Sequence, residues 1–373
     1  MRSIGLGFLL GALGMLLCGC EMGYLLSQGY HQVRLLARQR SLEDVLADPA
    51  VSSLTRERIR LVQAVCEFGE KELGLRSGKS YRSFIQVEGP VVAYVVSACP
   101  KDRFEPYTWR FPVVGSFPYK GFFRLEDARR EKDNLERMGY DTHLSGASAF
   151  SALGWFSDPI YSPMLDMDEA ELAYTIFHEL VHATVFFHDQ VDFNEQLATL
   201  VGWQSALKFF EGRSEEGSLQ ASRIKGIIEA EQALCGLLEE LRGTLLSLYV
   251  SEVGLEEKLQ ERKKIFAQAK AQVNSLAAKH KSTKLEALAR MEWNNASFLA
   301  MWRYRYDVGE LNSLYLKSGG DLKGLVRMII SWREQGLDPA KQLREKLKEM
   351  GGPAKTPPVA YLRLHRWCAS PWQ

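Results

Sequence analysis

What this sequence lacks sets its first limits. It has no surplus of charge, since 47 Lys and Arg face 46 Asp and Glu and leave a net +1. A protein that holds a polyanion through a basic surface needs such a surplus, so a nucleic-acid partner is not expected. Its six cysteines show no CxxC spacing, which argues against zinc–thiolate sites. It has no P-loop, no dinucleotide fingerprint and no internal repeat. The apolar run Ile4 to Leu17 falls short of the ~20 residues that a membrane-spanning helix needs.

That run suits an export signal instead. Arg2 supplies the short positive region, and Leu17-Cys18-Gly19-Cys20 resembles a bacterial lipobox. Residues 1–19 are therefore expected to be a lipoprotein signal peptide, with Cys20 as the lipidated first residue of the mature chain. Residue 21 is Glu, not the Asp that commonly retains lipoproteins in the inner membrane. The expected location is the periplasm, anchored in the outer membrane. An oxidising compartment permits disulfides among Cys66, Cys99, Cys235 and Cys368, but their spacing assigns no pairing. Buried free thiols are the alternative.

What is present is concentrated in one pentad, His178-Glu179-Leu180-Val181-His182. It reads HExxH, the zinc-binding signature of metallopeptidases. On a helix, positions i and i+4 share a face, so His178 and His182 can grip one metal ion. Glu179 stands one residue along and can take a proton from a water at the metal without being a ligand. The surrounding pattern is helical. Asp168 and Glu171 form a capping-box-like start, and Leu172, Ile176, Leu180 and Val181 recur at helical spacing.

A zinc hydrolase takes three protein ligands and a water. His188, at i+6 from His182, has the metzincin spacing HExxHxxGxxH, but Val185 stands where that pattern needs Gly. A β-branched residue resists the conformation that the glycine supplies. His188 also turns to another face if the helix runs on through Phe187. Glu195 is the better candidate. Asp189 to Asp192 can break the first helix, and Asp192 with Glu195 suggests a second capping box. Glu195 would then face the histidines from the first turn of a new helix, as in gluzincins.

Apolar content of 46% and charged content of 25% fit a globular chain with a sizeable core. The expected class is α+β, predominantly helical, with a zincin-like catalytic core, a small mixed sheet and a C-terminal helical region. Residues 20–160 read as a helical segment plus a β-rich region. Residues 161–350 read as metal-site helices and further helices, and 351–373 as a tail. Strands are expected at Tyr81–Ile85, Val91–Val96 and Trp109–Val114, a charged helix at Leu125–Met138, and strand plus loop from Tyr140. Leu234, Leu237, Leu238, Leu241 and Leu245 point to antiparallel helices between Leu219 and His280.

The run HELVHATVFFHDQVDFNEQLATLVG resembles the bacterial family of predicted zinc aminopeptidases, an exported, gluzincin-like group. CPKDRFEPYTWRFPVVGSFPYKGFF, GWFSDPIYSP, NNASFLAMWRY and GGDL agree with it. The resemblance implies one zinc ion on His178, His182 and Glu195, with Glu179 as the base. Gluzincin aminopeptidases carry Gly-x-Met-Glu-Asn just before the metal helix, and its Glu binds the substrate's free amine. Here Ser157 takes that place and Asp158 the next, so amino-terminal selectivity is expected only if Asp158 takes that role; a tight Asp-Pro turn is the other reading of this stretch. Tyr304, Tyr306 and Tyr315 are candidate oxyanion donors, although each suits a core position as well. The expected function is hydrolysis of peptide bonds by a membrane-anchored enzyme. The alternative is a non-catalytic binding or assembly factor on the same fold.

Overall fold

The computed structural model describes residues 19–111, 115–147, 158–211, 215–303 and 308–351. The signal peptide, the side chain of Cys20, Gly154 to Ser157, Tyr304, Tyr306 and Cys368 lie outside the described residues or side chains. Helix α1 (Gly19–Leu36) leads to a short strand β1 (Arg40–Ser41), α2 (Leu42–Ala47) and α3 (Ser53–Phe68). Ser41 caps α2 by accepting the Asp44 N–H at 3.1 Å, as the Ser-x-x-Asp pattern suggests. A π-helical turn, Gly69–Leu73, closes α3.

The β-rich region follows as β2 (Ser83–Ile85), β3 (Ala93–Cys99), β4 (Trp109–Phe111), β5 (Gly115–Phe117) and β6 (Lys120–Phe122). Helix α4 (Leu125–Arg137), β7 (Asp141–Ala147) and β8 (Ile160–Tyr161) complete it. Three small sheets result. The mixed one has order β1-β2-β8, with Phe84 paired antiparallel to Arg40 and parallel to Ile160. The second, β6-β3-β7, is antiparallel, and its long pair runs from Ala93↔Ala147 to Cys99↔Asp141. That pairing explains why β3 begins two residues and ends three residues later than the expected Val91–Val96. Tyr81 is another departure. It sits in a turn with φ +60°, and its strand begins only at Ser83.

Beyond a 3₁₀ turn at Ser162–Asp166 the chain is helical among the described residues. The helices are α5 (Glu169–Thr184), α6 (Val191–Phe210), α7 (Glu215–Val250), α8 (Leu255–His280) and α9 (Thr283–Arg290). α10 (Asn295–Arg303), α11 (Gly309–Lys317), α12 (Leu322–Glu334) and α13 (Pro339–Glu349) follow. The chain is thus mostly helical with small sheets, as expected. Among the described residues no helix is long and apolar enough to cross a membrane.

Three apolar cores organise these elements. The largest joins α3, α5, α6 and α11–α13, and includes Phe177, Leu180, Leu197, Phe209 and Ile329. A second lies within α7–α10, where Leu234, Leu238, Leu241 and Leu245 meet Phe266, Val273 and Phe298. α7 and α8 are joined by only four residues and pack along each other, which makes them the expected antiparallel pair. The third joins the second sheet to α4. Cys66 and Cys99 are free thiols among the described residues. Burial pushes the Cys66 and Cys99 thiols up to about 12, so both stay protonated and inert.

A buried polar latch ties the α7–α10 unit to the second sheet. Arg262 on α8 pairs with Asp141 at the start of β7, both nearly enclosed. Arg262 also donates to the Lys101 carbonyl at 2.9 Å. Asp141 accepts the Asn295 N–H at 2.9 Å, at the N-terminus of α10. The Asn295 side chain donates to the Pro100 carbonyl at 2.8 Å, and Asn294 donates to that of Thr142 at 3.0 Å. The Asn-Asn-Ala-Ser and Cys-Pro-Lys-Asp segments are therefore joined structurally. Removing one partner strands a buried charge, which costs about 3–5 kcal/mol. Asp141→Ala is expected to lose that much in denaturant unfolding and to open α8 to hydrogen exchange, while Asp133→Ala at the exposed surface changes neither.

Candidate metal centre

α5 starts where the sequence places it. Asp168 accepts the N–H groups of Ala170 at 3.0 Å and Glu171 at 3.1 Å. This cap sets the register that carries His178 and His182 to one face. The other faces bury Leu172, Ile176, Phe177, Leu180 and Val181. Gly69 makes close packing possible here, since an added Cβ would come to 3.0 Å from Leu180 Cδ1. α5 ends at Thr184, whose Oγ1 accepts the Arg76 N–H at 2.8 Å.

The connection to α6 differs from its expected form. Val185 leaves the helix in extended conformation, φ −144° and ψ 128°, so the helix does not continue through Phe186 and Phe187. Asp189 takes a left-handed conformation at φ +58°, which Asp tolerates better than most residues. α6 then begins at Val191 with Gln190 as its N-cap residue and no side-chain cap bond. The predicted Asp192–Glu195 capping box is therefore absent, and Glu195 lies in the second turn. Asn194 organises the turn instead. Its buried side chain accepts the Phe187 N–H at 3.0 Å and donates to the Phe187 carbonyl at 2.8 Å. This two-point bond fixes the neighbouring Glu195 relative to α5. The only sequence signal for it was an Asn beside the candidate ligand.

His178, His182 and Glu195 come together. Their Nε2 atoms lie 3.1 Å apart, and the Glu195 carboxylate oxygens lie 3.3 Å from His178 Nε2 and 3.4 Å from His182 Nε2. His188 is exposed in the connecting turn, against Phe186, and does not join them. Burial opposes ionisation of Glu195, but hydrogen bonds to both imidazoles outweigh it and hold the carboxyl well below its usual range. Burial likewise opposes a charged His182, yet Glu195 and then Glu179 raise its pKa.

The donor set suits a zinc ion. Tetrahedral ligation at ~2.0–2.1 Å separates donor atoms by about 3.3 Å, close to the 3.1 Å between the two ring nitrogens and to the 3.3 and 3.4 Å at which each meets a different Glu195 oxygen. The outer ring nitrogens matter too, because a ligating imidazole is oriented by the bond its second nitrogen makes. His178 Nδ1 lies 3.3 Å from the Tyr174 hydroxyl. Tyr174 is itself stacked on Trp203 of α6, with ring centroids 4.0 Å apart and planes at 14°. A Cβ on Gly202 would stand 3.1 Å from that tyrosine ring. His182 Nδ1 is buried without a partner among the described residues. Tyr174→Phe is expected to weaken zinc binding about 10–100-fold in chelator competition while the helical signal is unchanged.

Two further groups stand near. Glu179 is partly buried and raises the pKa of His182 and Tyr81 by its charge. Burial pushes the Tyr81 phenol well up, and the charges of Glu179 and Asp158 add to it, so its proton is retained. Tyr81 donates its backbone N–H to the Asp158 carbonyl at 2.7 Å, which links it to the Asp-Pro segment. Reading Tyr81 as a strand residue concealed it. Tyr315 is a core residue whose hydroxyl lies beside Gly320. The GGDL segment that follows is a turn and cap, with Gly319 and Gly320 at positive φ and Asp321 accepting the Gly324 N–H at 2.9 Å.

A family model described as Putative aminopeptidase matches residues 23–344. The chain belongs to that family. The match takes in α5, α6 and the latch together, so the three gathered side chains lie inside the family's shared region. No curated protein and no solved structure matches the chain.

Proposed function

We propose that the chain is a zinc-dependent peptidase of the aminopeptidase type, built on a zincin-like core and exported as a lipoprotein. The observation that carries this reading is the convergence of His178, His182 and Glu195, whose ligand atoms lie within 4.8 Å of one another in a member of an aminopeptidase family. These three residues would hold one zinc ion per chain. Zinc at such a site acidifies a water and polarises a carbonyl. The remaining work falls to the chain. Glu179 receives the proton of the attacking water and delivers it to the leaving amine. Tyr174 orients His178, and Asn194 holds Glu195 in register. Asp158 is the carboxylate that would receive a substrate's free amine. Cys20 would carry the lipid that holds the enzyme at the outer membrane, facing the periplasm.

The test is a mixed peptide library incubated with zinc-loaded and metal-stripped protein, with products read by mass spectrometry. Cleavage that vanishes on stripping and returns with zinc is expected, and removal of single N-terminal residues would identify the aminopeptidase. No zinc-dependent product from any peptide would sink the peptidase reading.

A further inference from the structure

The outward face of α1 carries an apolar stripe. Leu26 is 68%, Tyr30 63% and Val33 67% exposed. Their i, i+4, i+7 spacing puts them on one side of the helix, extended by exposed Gly23 and Ala37. The inward face is held firmly. Tyr24 stacks on Phe111 at 5.6 Å and donates its hydroxyl to the Gly121 carbonyl at 2.7 Å, while Leu35 is buried in the largest core. α1 is therefore docked on one side and apolar on the other.

We propose that α1 is an interfacial helix whose Leu26, Tyr30 and Val33 rest in the surface of a lipid bilayer. The occupant is argued from what precedes the stripe. Cys20, the expected lipidated residue, lies in the first turn of α1, about 9 Å along the axis from Leu26. An acyl chain on Cys20 would hold the stripe against the membrane. Tyr30 has the amphipathic ring favoured at the headgroup level, and Arg34 stands beside Val33 to meet lipid phosphate. A second copy of the chain fits less well. Three side chains and a flanking alanine fall short of the ~800 Å² that a stable dimer buries on each partner. With α1 fixed to the body, this contact would set the enzyme's orientation to the membrane, which a lipid chain alone leaves free.

The inference rests on the reading of Cys20 as the anchored residue, and the test separates the two. Residues 20–373 with Cys20→Ser, made without lipid, keep every described residue except Gly19. This chain is expected to sediment with phosphatidylethanolamine–phosphatidylglycerol vesicles. The L26S/Y30S/V33S form should bind them at least about tenfold more weakly, with the same melting temperature and zinc content. Absence of vesicle binding by the parent, or equal binding by both, overturns the proposal. So does a dimer in light scattering that the triple variant abolishes while vesicles have no effect. Palmitate labelling of the wild-type chain reports on Cys20 separately, so a labelled chain whose unlipidated form ignores vesicles keeps its anchor and loses the interfacial helix.

Discussion

Glu195→Ala is expected to strip the protein of its metal, whereas His188→Ala leaves one zinc per chain. Both residues follow the HExxH pentad, and either could complete a three-ligand site on spacing alone. Physical placement separates them. Glu195 sits 3.3 and 3.4 Å from the two histidine nitrogens, and His188 is exposed in the turn. Losing the carboxylate removes the proposed third ligand and the negative charge that, among the described residues, is bonded to both imidazoles. The loss should exceed the 10–100-fold typical of an outer-shell partner. Metal content after dialysis, with chelator competition for the affinity, is the measurement. The same titration carries a pH signature. Glu195, opposing the effect of burial, raises the pKa of His182, and the ring must lose that proton before its Nε2 can bind a cation. Zinc affinity should therefore rise with pH up to this raised pKa and level off above it. A His188→Ala protein without zinc, or a fully loaded Glu195→Ala protein, would refute the ligand assignment.

Features governed by local geometry were legible in the sequence. Asp168 fixes the start of α5, and 3.6 residues per turn then puts His178 and His182 on one face whatever surrounds them. The helix at Leu125–Arg137 and the α7–α8 pair follow from periodicity in the same way. What escaped was decided by residues distant in sequence. The Asp192 cap was a plausible local bond, but the turn is governed by Asn194, which reaches back to the Phe187 backbone. β3 extends to Cys99 because Asp141 lies opposite. The latch joins residues 121 and 154 apart, and no window of sequence displays such a partnership. Tyr81 was hidden differently. A β-rich composition around it invited an extended reading, while its backbone lies in the left-handed region, where a bulky residue persists only if its surroundings hold it.

Those distant contacts also bear on function. The proposed zinc site needs α5 and α6 to keep His178, His182 and Glu195 together, and each helix is held by more than its own bonds. Gly69 admits α3 against Leu180, Thr184 ties the end of α5 to Arg76, and Gly202 admits Tyr174 against His178. Both glycines are needed for close approach, with φ outside the left-handed range. A methyl group at Gly202 would press on a tyrosine ring already stacked against Trp203, so the ring that sets the hydroxyl beside His178 would have to shift.

Glu179→Gln is expected to retain zinc and lose nearly all hydrolysis. The amide is almost the same size as the carboxylate, so α5 and both histidines should stay in place. The cap at Asp168 and the buried face through Leu180 do not involve residue 179. Gln cannot accept the proton of an attacking water, and removing a general base of this kind lowers the rate about 10²–10⁴-fold. The charge also disappears from beside His182 and Tyr81, whose pKa values Glu179 helps to raise. Both should fall in the variant. That gives a second readout, since zinc should bind the variant at slightly lower pH than the wild type, because the His182 proton leaves more readily. Equal zinc content, a zinc-binding curve moved to lower pH and absent peptide cleavage together would mark Glu179 as the proton carrier. If both zinc-loaded proteins cleave a broad peptide library equally well, the base lies elsewhere. If neither cleaves anything, the three gathered ligands serve a protein that holds its metal without hydrolysing peptides.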